Sequence, residues 1–383
     1  MEKSLPKQFE EFSEARRNGF LRVKQIKEEG GLIAGIFCTF TPCEILDAAG
    51  IIPVSLCGMS NETVAAAEAH LPKNLCPLIK SSYGFAVSDK CPYTYFSDLI
   101  VGETTCDGKK KMYELLGRFK EVYVLHLPQG PDPAYAREMW TQELRRFVSY
   151  LEERFHVDIT EDKLRRAAHL RNQERALRCA LMELQRLDPP PMRGYQLYKA
   201  LEGAGFRLRQ EEILESLEQL KDGVLAAYRQ GARPVPPGAK RILVTGCPIG
   251  GVLDKTVKSI EELGGVVVCF ENCSGIKAAW QMVEEGADDI VAAIARRYLE
   301  IGCAVMTPNR RRMELLTRLA GEYRADAVVE IVLQACHPYA VEAHSVRSLA
   351  GELGLPYLGI ETDYSTADTG QLNTRIEALL EML

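Results

Sequence analysis

The sequence lacks any apolar run long enough to cross a bilayer, and its first residues, MEKSLPKQFEEFSEARR, carry charges where a signal peptide has an apolar core. These absences exclude a membrane partner and predict a cytoplasmic protein. Basic charge is lacking too: the net charge is −6, whereas a nucleic-acid binder normally carries a basic surface. No Cys-x-x-Cys pair occurs, although the chain has 12 cysteines. That removes the paired ligands of most zinc sites and the runs of ferredoxin and radical-SAM type. The nearest pairs, Cys38/Cys43 and Cys269/Cys273, have wider gaps. Internal repeats are absent as well.

What remains is a chain of 383 residues with 46% hydrophobic and 26% charged residues, ordinary for a globular protein and too long for one compact core. Apolar runs at LIAGIFC, IIPVSLC, DLIVGET and EVYVLHL, separated by helical patterns, suit a parallel sheet buried on both faces. RILVTGCP, GVVVCFENC, GCAVMTPN, AVVEIVLQAC and PYLGIETDY predict five strand–helix units of a second sheet. The fold class is therefore α/β, with two doubly wound parallel-sheet domains of Rossmann or flavodoxin type. The expected boundaries are an N-terminal helical arm over 1–30, with Phe9, Phe12 and Phe20, a first α/β domain over 31–132, a helical insertion over 133–231 and a second α/β domain over 240–383. The proline- and glycine-rich ARPVPPGAKR marks the last boundary. The charged runs of the insertion read as solvated helix faces with no site.

A reducing cytosol excludes disulfides, so the cysteines point to metal or redox chemistry. Cys38, Cys247, Cys273 and Cys336 fall at predicted strand ends, where open α/β sheets bind ligands. Cys76, Cys91 and Cys106 surround one predicted strand. Cys179, Cys269 and Cys303 read as small buried hydrophobes. At the turn after the first strand, Thr41 predicts a helix cap, Pro42 its first position and Glu44 a capping box. That box already accounts for the chain around Cys43.

Four further features have competing readings. GCPIGGVLDK follows a strand but lacks the Gly-Lys-Ser/Thr ending of a P-loop, and glycines for a tight turn are the preferred reading. Lys109, Lys110 and Lys111 either neutralise an anionic group or, as preferred, open an exposed helix. His337 is placed to donate a proton or hydrogen bond beside Cys336, or is structural. Glu361, Asp363 and Tyr364 line a cleft or cap the following helix.

CTFTPCEILDAAGIIPV, NLCPLIKSS, GETTCDGKKKMYELL, ACHPY and IETDYSTADTGQLNTRIEALLE, in that order, resemble the 2-hydroxyacyl-CoA dehydratase and benzoyl-CoA reductase subunit family from about Gly35 to the C-terminus. The resemblance implies a [4Fe–4S] cluster on Cys76, Cys106 and Cys336, with electrons from a separate [4Fe–4S]-containing ATPase. The extra cysteines look most like the double-cubane cluster proteins of that family, homodimers with an [8Fe–9S] cofactor on six cysteines. This implies three more ligands, expected at Cys38, Cys91 and Cys273, with Cys247 or the weaker Cys57 as substitutes. The resulting expectation is an ATP-dependent reductase of a small unsaturated molecule, with His337 and Glu361 at the site. The alternatives are a single-cubane 2-hydroxyacyl-CoA dehydratase, a lyase, and a non-catalytic cluster carrier.

Overall fold

The computed structural model describes residues 8–383, with side chains from residue 18 onward. In chain order the first half runs α1 (Gln8–Glu28), β1 (Leu32–Ile36), α2 (Cys43–Ala48), β2 (Ile51–Ser55), α3 (Val64–Ala67), α4 (Pro77–Val87), α5 (Pro92–Phe96), β3 (Leu99–Glu103), α6 (Asp107–Leu116) and β4 (Val122–Leu125). Four longer helices follow: α7 (Ala134–Phe155), α8 (Glu161–Glu183), α9 (Gly194–Ala204) and α10 (Gln210–Arg229). The second half runs β5 (Lys240–Gly246), α11 (Ser259–Glu262), β6 (Gly265–Glu271), α12 (Ile276–Ala279), α13 (Ile290–Leu299), α14 (Arg310–Glu322), β7 (Ala327–Leu333), α15 (His337–Glu352), β8 (Tyr357–Thr362) and α16 (Thr369–Glu381).

The strands form two parallel sheets of the same order, β2-β1-β3-β4 and β6-β5-β7-β8. Strands β3, β6 and β7 are buried along their whole length, as the continuous apolar runs require. In both sheets the chain winds outward in one direction and then the other. The switch points, between β1 and β3 and between β5 and β7, open crevices at the strands' carboxyl ends.

α1 packs on α5, α9 and α10. The side chains of Phe9 and Phe12 lie outside the described residues, and Phe20 is exposed, 6.1 Å from the Phe96 ring. α7 buries Trp140, Leu144 and Phe147 against the first sheet's core.

Two local expectations are corrected. GCAVMTPN is not a strand but an irregular segment leading from α13 to α14. Its Cys303 and Met306, with Ile301 just before it, are buried with the first sheet's core, and Thr307 N donates to Gln129 O at 2.9 Å. A buried loop wall thus imitates the pattern of a buried strand. The capping box at α2 does not form: Pro42 is the N-cap residue and no side chain caps it. Thr41 instead donates to the buried Glu103, and Glu44 accepts from Arg175 and Tyr298. Both side chains are drawn to buried polar partners, whose desolvation outweighs that of an exposed cap.

Candidate metal centre

The cysteines come together because turns, not strands, hold them. Cys76, Cys106 and Cys336 are the N-cap residues of α4, α6 and α15. Pro77 and Pro338 sit in the first turns of α4 and α15, and Ala335 takes φ 54° to bring Cys336 round after β7. Three helix N-termini therefore aim their positive ends at the same space, an environment that favours thiolate and anionic ligands. Cys38 follows β1 and Cys273 follows β6, each just beyond a strand's carboxyl end.

That space is a cavity of about 950 Å³ between the two sheets' switch points. Cys38, Cys57, Cys76, Cys106, Cys273 and Cys336 line it, together with Cys43 and Cys303. Cys336 lies against Cys76, with Cys247 and Cys106 close by. Cys38 has Cys273 and Cys303 as neighbours, and Cys273 has Cys303 and Cys57. Cys247 feels both Cys76 and Cys273, and Lys109 acts on Cys76, Cys38 and Cys273.

The thiols differ in acidity. The neighbouring Cys336 thiol and the amides of Leu78 and Ile79 pull Cys76 down to about 7 against the effect of burial, while Cys336 is pushed up by sharing its proton with Cys76. Burial raises Cys38, Cys247 and Cys273, and pushes Cys43 up to about 12. A buried thiol of this kind keeps its proton until a metal displaces it.

Among the described residues no three His, Cys, Asp or Glu side chains close on a single metal ion. The thiols instead stand around a large void, and all-thiolate donors around a void fit a multi-iron cluster better than one ion.

Lys109 turns inward and gives a hydrogen bond to Phe37 O at 2.9 Å, while Lys110 and Lys111 are exposed. Burial acts against its charge, but Tyr113, Cys38, Cys57 and Glu103 outweigh it and hold the Lys109 pKa well above the usual lysine value. Only one of the three lysines therefore departs from the exposed-helix reading. Glu103, buried under the site, is raised to about 7 by desolvation.

Not every expected residue reaches the cavity. Cys91 is the N-cap of the short helix α5, where its sulfur accepts from Thr94 N at 3.5 Å, and it does not line the cavity. Cys247 is sealed behind the wall, with Leu333 N donating to its sulfur at 3.3 Å. Glu361 is exposed on β8 and outside the cavity, because the strand's alternation turns Thr362 inward instead. Asp363 accepts from Ser365 N at 2.7 Å, a local turn, and Tyr364 is buried. His337 lines the rim and is exposed. In GCPIGG, a Cβ on Gly250 would meet Glu202 Oε1 at 2.3 Å and one on Gly251 would meet Met59 O at 2.4 Å. Those glycines serve close packing and leave no phosphate cradle.

Two sets of residues were not anticipated. Cys303, buried in the GCAVMTPN loop with its sulfur 3.9 Å from the Tyr339 hydroxyl, faces the cavity. The Thr-Pro-Asn ending of that run is turn chemistry and was the available signal. Arg171, Glu174, Arg175 and Arg178 of α8 also line the cavity, where the charged insertion had suggested a solvated face. Their spacing, which puts all three arginines on one side of a helix, is the signal that could have found them.

The sequence is similar to those of known proteins along nearly its whole length. The profile of the family described as 2-hydroxyglutaryl-CoA dehydratase, D-component, matches residues 38–383. The chain is 49% identical over 380 residues to a protein of Escherichia coli (strain K12) named "Putative dehydratase subunit YjiM", covering 99% of this chain and 98% of that one. It is 22% identical over 369 residues to the (R)-phenyllactyl-CoA dehydratase beta subunit of Clostridium sporogenes, covering 94% of each. Lactoyl-CoA dehydratase subunit beta of Anaerotignum propionicum is 22% identical over 361 residues, with 93% of each chain covered. With the profile covering the second sheet, the first sheet apart from β1, and every cavity cysteine, the chain belongs to the 2-hydroxyacyl-CoA dehydratase family.

Proposed function

We propose that the chain, as a cytoplasmic homodimer, holds a double-cubane [8Fe–9S] cofactor in this cavity and reduces a small unsaturated molecule with electrons from a separate [4Fe–4S]-containing ATPase. The observation that supports it is the number of thiols on one cavity, more than a single cubane needs, with Lys109 acting on Cys76, Cys38 and Cys273 alike. Cys76, Cys106 and Cys336 would hold one cubane. Cys38, Cys273 and Cys303 would hold the other, Cys303 taking the place expected of Cys91. When bound, the group supplies single electrons at low potential.

The chain's own residues do the rest. Lys109 offsets the negative charge of the thiolates, and the N-termini of α4, α6 and α15 add to that effect. Tyr339 and the loop around Cys303 close the inner wall against water. His337, exposed at the rim beside Cys336, is the group placed to pass protons inward from solvent.

A second reading is dehydration of a 2-hydroxyacyl-CoA with one cubane on Cys76, Cys106 and Cys336, favoured by the names of the phenyllactyl-CoA and lactoyl-CoA relatives. Turnover assays on protein prepared without oxygen separate the two. Reduction of a small unsaturated compound is expected only with both ATP and the partner ATPase. Rapid reduction by a simple chemical reductant alone contradicts the gating, and release of water from a 2-hydroxyacyl-CoA establishes the second reading.

A further inference from the structure

Away from the thiols, the cavity wall carries four arginines, and three of them are matched. Arg171 bonds Asp47 through Nε at 2.6 Å and Glu174 through Nη1 at 2.9 Å. Arg178 bonds Glu174 at 2.7 Å and Leu201 O at 2.7 Å. Arg175 bonds Glu44 and, at 3.0 Å, Asn172 Oδ1. Three carboxylates, Glu44, Asp47 and Glu174, thus balance three guanidinium groups.

Arg297 of α13 is the fourth and has no carboxylate. Its Nε donates to Gln281 O at 3.2 Å and its Nη2 to Ala278 O, while Nη1 has no partner among the described residues. Glu44 attracts it from a distance, but both Glu44 oxygens are already taken by Arg175 and Tyr298. Arg297 is 5% exposed and lines the cavity. Burial, reinforced by the charge of Arg175, pulls its pKa down to about 10. Buried charges are ordinarily paired, yet among the described residues no carboxylate is hydrogen-bonded to Arg297, whose guanidinium stands 4.5 Å from the Tyr298 ring.

We propose that Arg297 is the anchor for the carboxylate of a small monocarboxylic substrate, which enters the same cavity as the free acid. Nε and one Nη2 hydrogen are already donated, so the Nη1 edge is what remains for an anion, and a carboxylate is the small planar group that fits it. This inference rests on the proposed function for the statement that the cavity is the substrate site, and adds the class of substrate.

Calorimetric titration with crotonate, inorganic phosphate and coenzyme A tests it, on cluster-free and anaerobically prepared protein whose iron is measured in the same samples. Crotonate is expected to bind saturably to the native protein, and Arg297→Gln to weaken it by about tenfold or more. Arg297→Lys, which keeps the charge but not the fork, is expected to bind between the two and guards against a variant that fails to fold. Undetectable crotonate binding, binding unchanged in Arg297→Gln, or an Arg297-dependent preference for phosphate or coenzyme A each overturns the inference. Crotonate binding through Arg297 in native protein that holds no iron even when prepared without oxygen supports it while contradicting the cluster reading.

Discussion

Two cysteines exchange their expected roles once their surroundings are seen. Cys91 precedes proline as Cys76 does, yet its sulfur serves its own short helix, whereas Cys303, apparently one buried hydrophobe among others, faces the thiols of Cys38 and Cys273. Cys303→Ala is expected to lose about half of the bound iron under anaerobic preparation, as a cluster ligand must. Cys91→Ala is expected to keep its iron and to lose only a helix cap, about 0.5–1 kcal/mol by denaturant unfolding. Equal iron in both variants contradicts the assignment. Cys76, Cys106 and Cys336 were legible because a chain of short motifs named them. Cys303 was not, because a cavity residue contributed by a loop from the other half of the molecule leaves no spacing to read. Glu361 failed for a simpler reason: a strand's alternation puts neighbours on opposite faces, and the motif IETDY does not say which face is inward.

Helix α8 shows the same limit at the level of elements. Its charges follow the pattern of a surface helix, but Glu174 bonds Arg171 and Arg178 within the helix and Gln210 on α10 at 2.8 Å, while Arg171 and Arg175 reach Asp47 and Glu44 on α2. The element is a buried ionic joint beside the site. Desolvation works against the Glu174 charge, but Arg178 and Arg171 overcome it and hold its pKa at about 2. A carboxylate depressed in the folded state stabilises fully above its unfolded pKa, and that contribution drains away as pH falls from about 4.5 toward about 2. The loss is about 3 kcal/mol, and Glu174→Gln is expected to be about 3 kcal/mol less stable near neutrality with a flatter acid limb. Urea midpoints of cluster-free protein between these pH values measure it, and parallel acid limbs in the two proteins rule it out. Strand positions were legible where both faces are buried, as in AVVEIVLQAC. GCAVMTPN met the same criterion without being a strand, because periodicity reports burial and not hydrogen bonding.

At the scale of the molecule, two sheets of identical strand order place their switch points on one cavity, and this is what gathers cysteines separated by most of the chain. The paired α/β architecture and the cleft between the sheets were readable from the apolar runs and the helices between them. Which thiols neighbour one another was not, since it depends on how one sheet meets the other. No helix among the described residues is long and apolar enough to span a membrane. The central claim is that this cavity holds two cubanes and not one. Iron and acid-labile sulfide per subunit, determined on protein purified without oxygen and accompanied by an EPR spectrum of the reduced state, test it most directly. Two cubanes' worth of iron, with sulfide slightly in excess of iron, is the expected result; a single cubane's worth contradicts the claim and leaves Cys38, Cys273 and Cys303 as structural thiols.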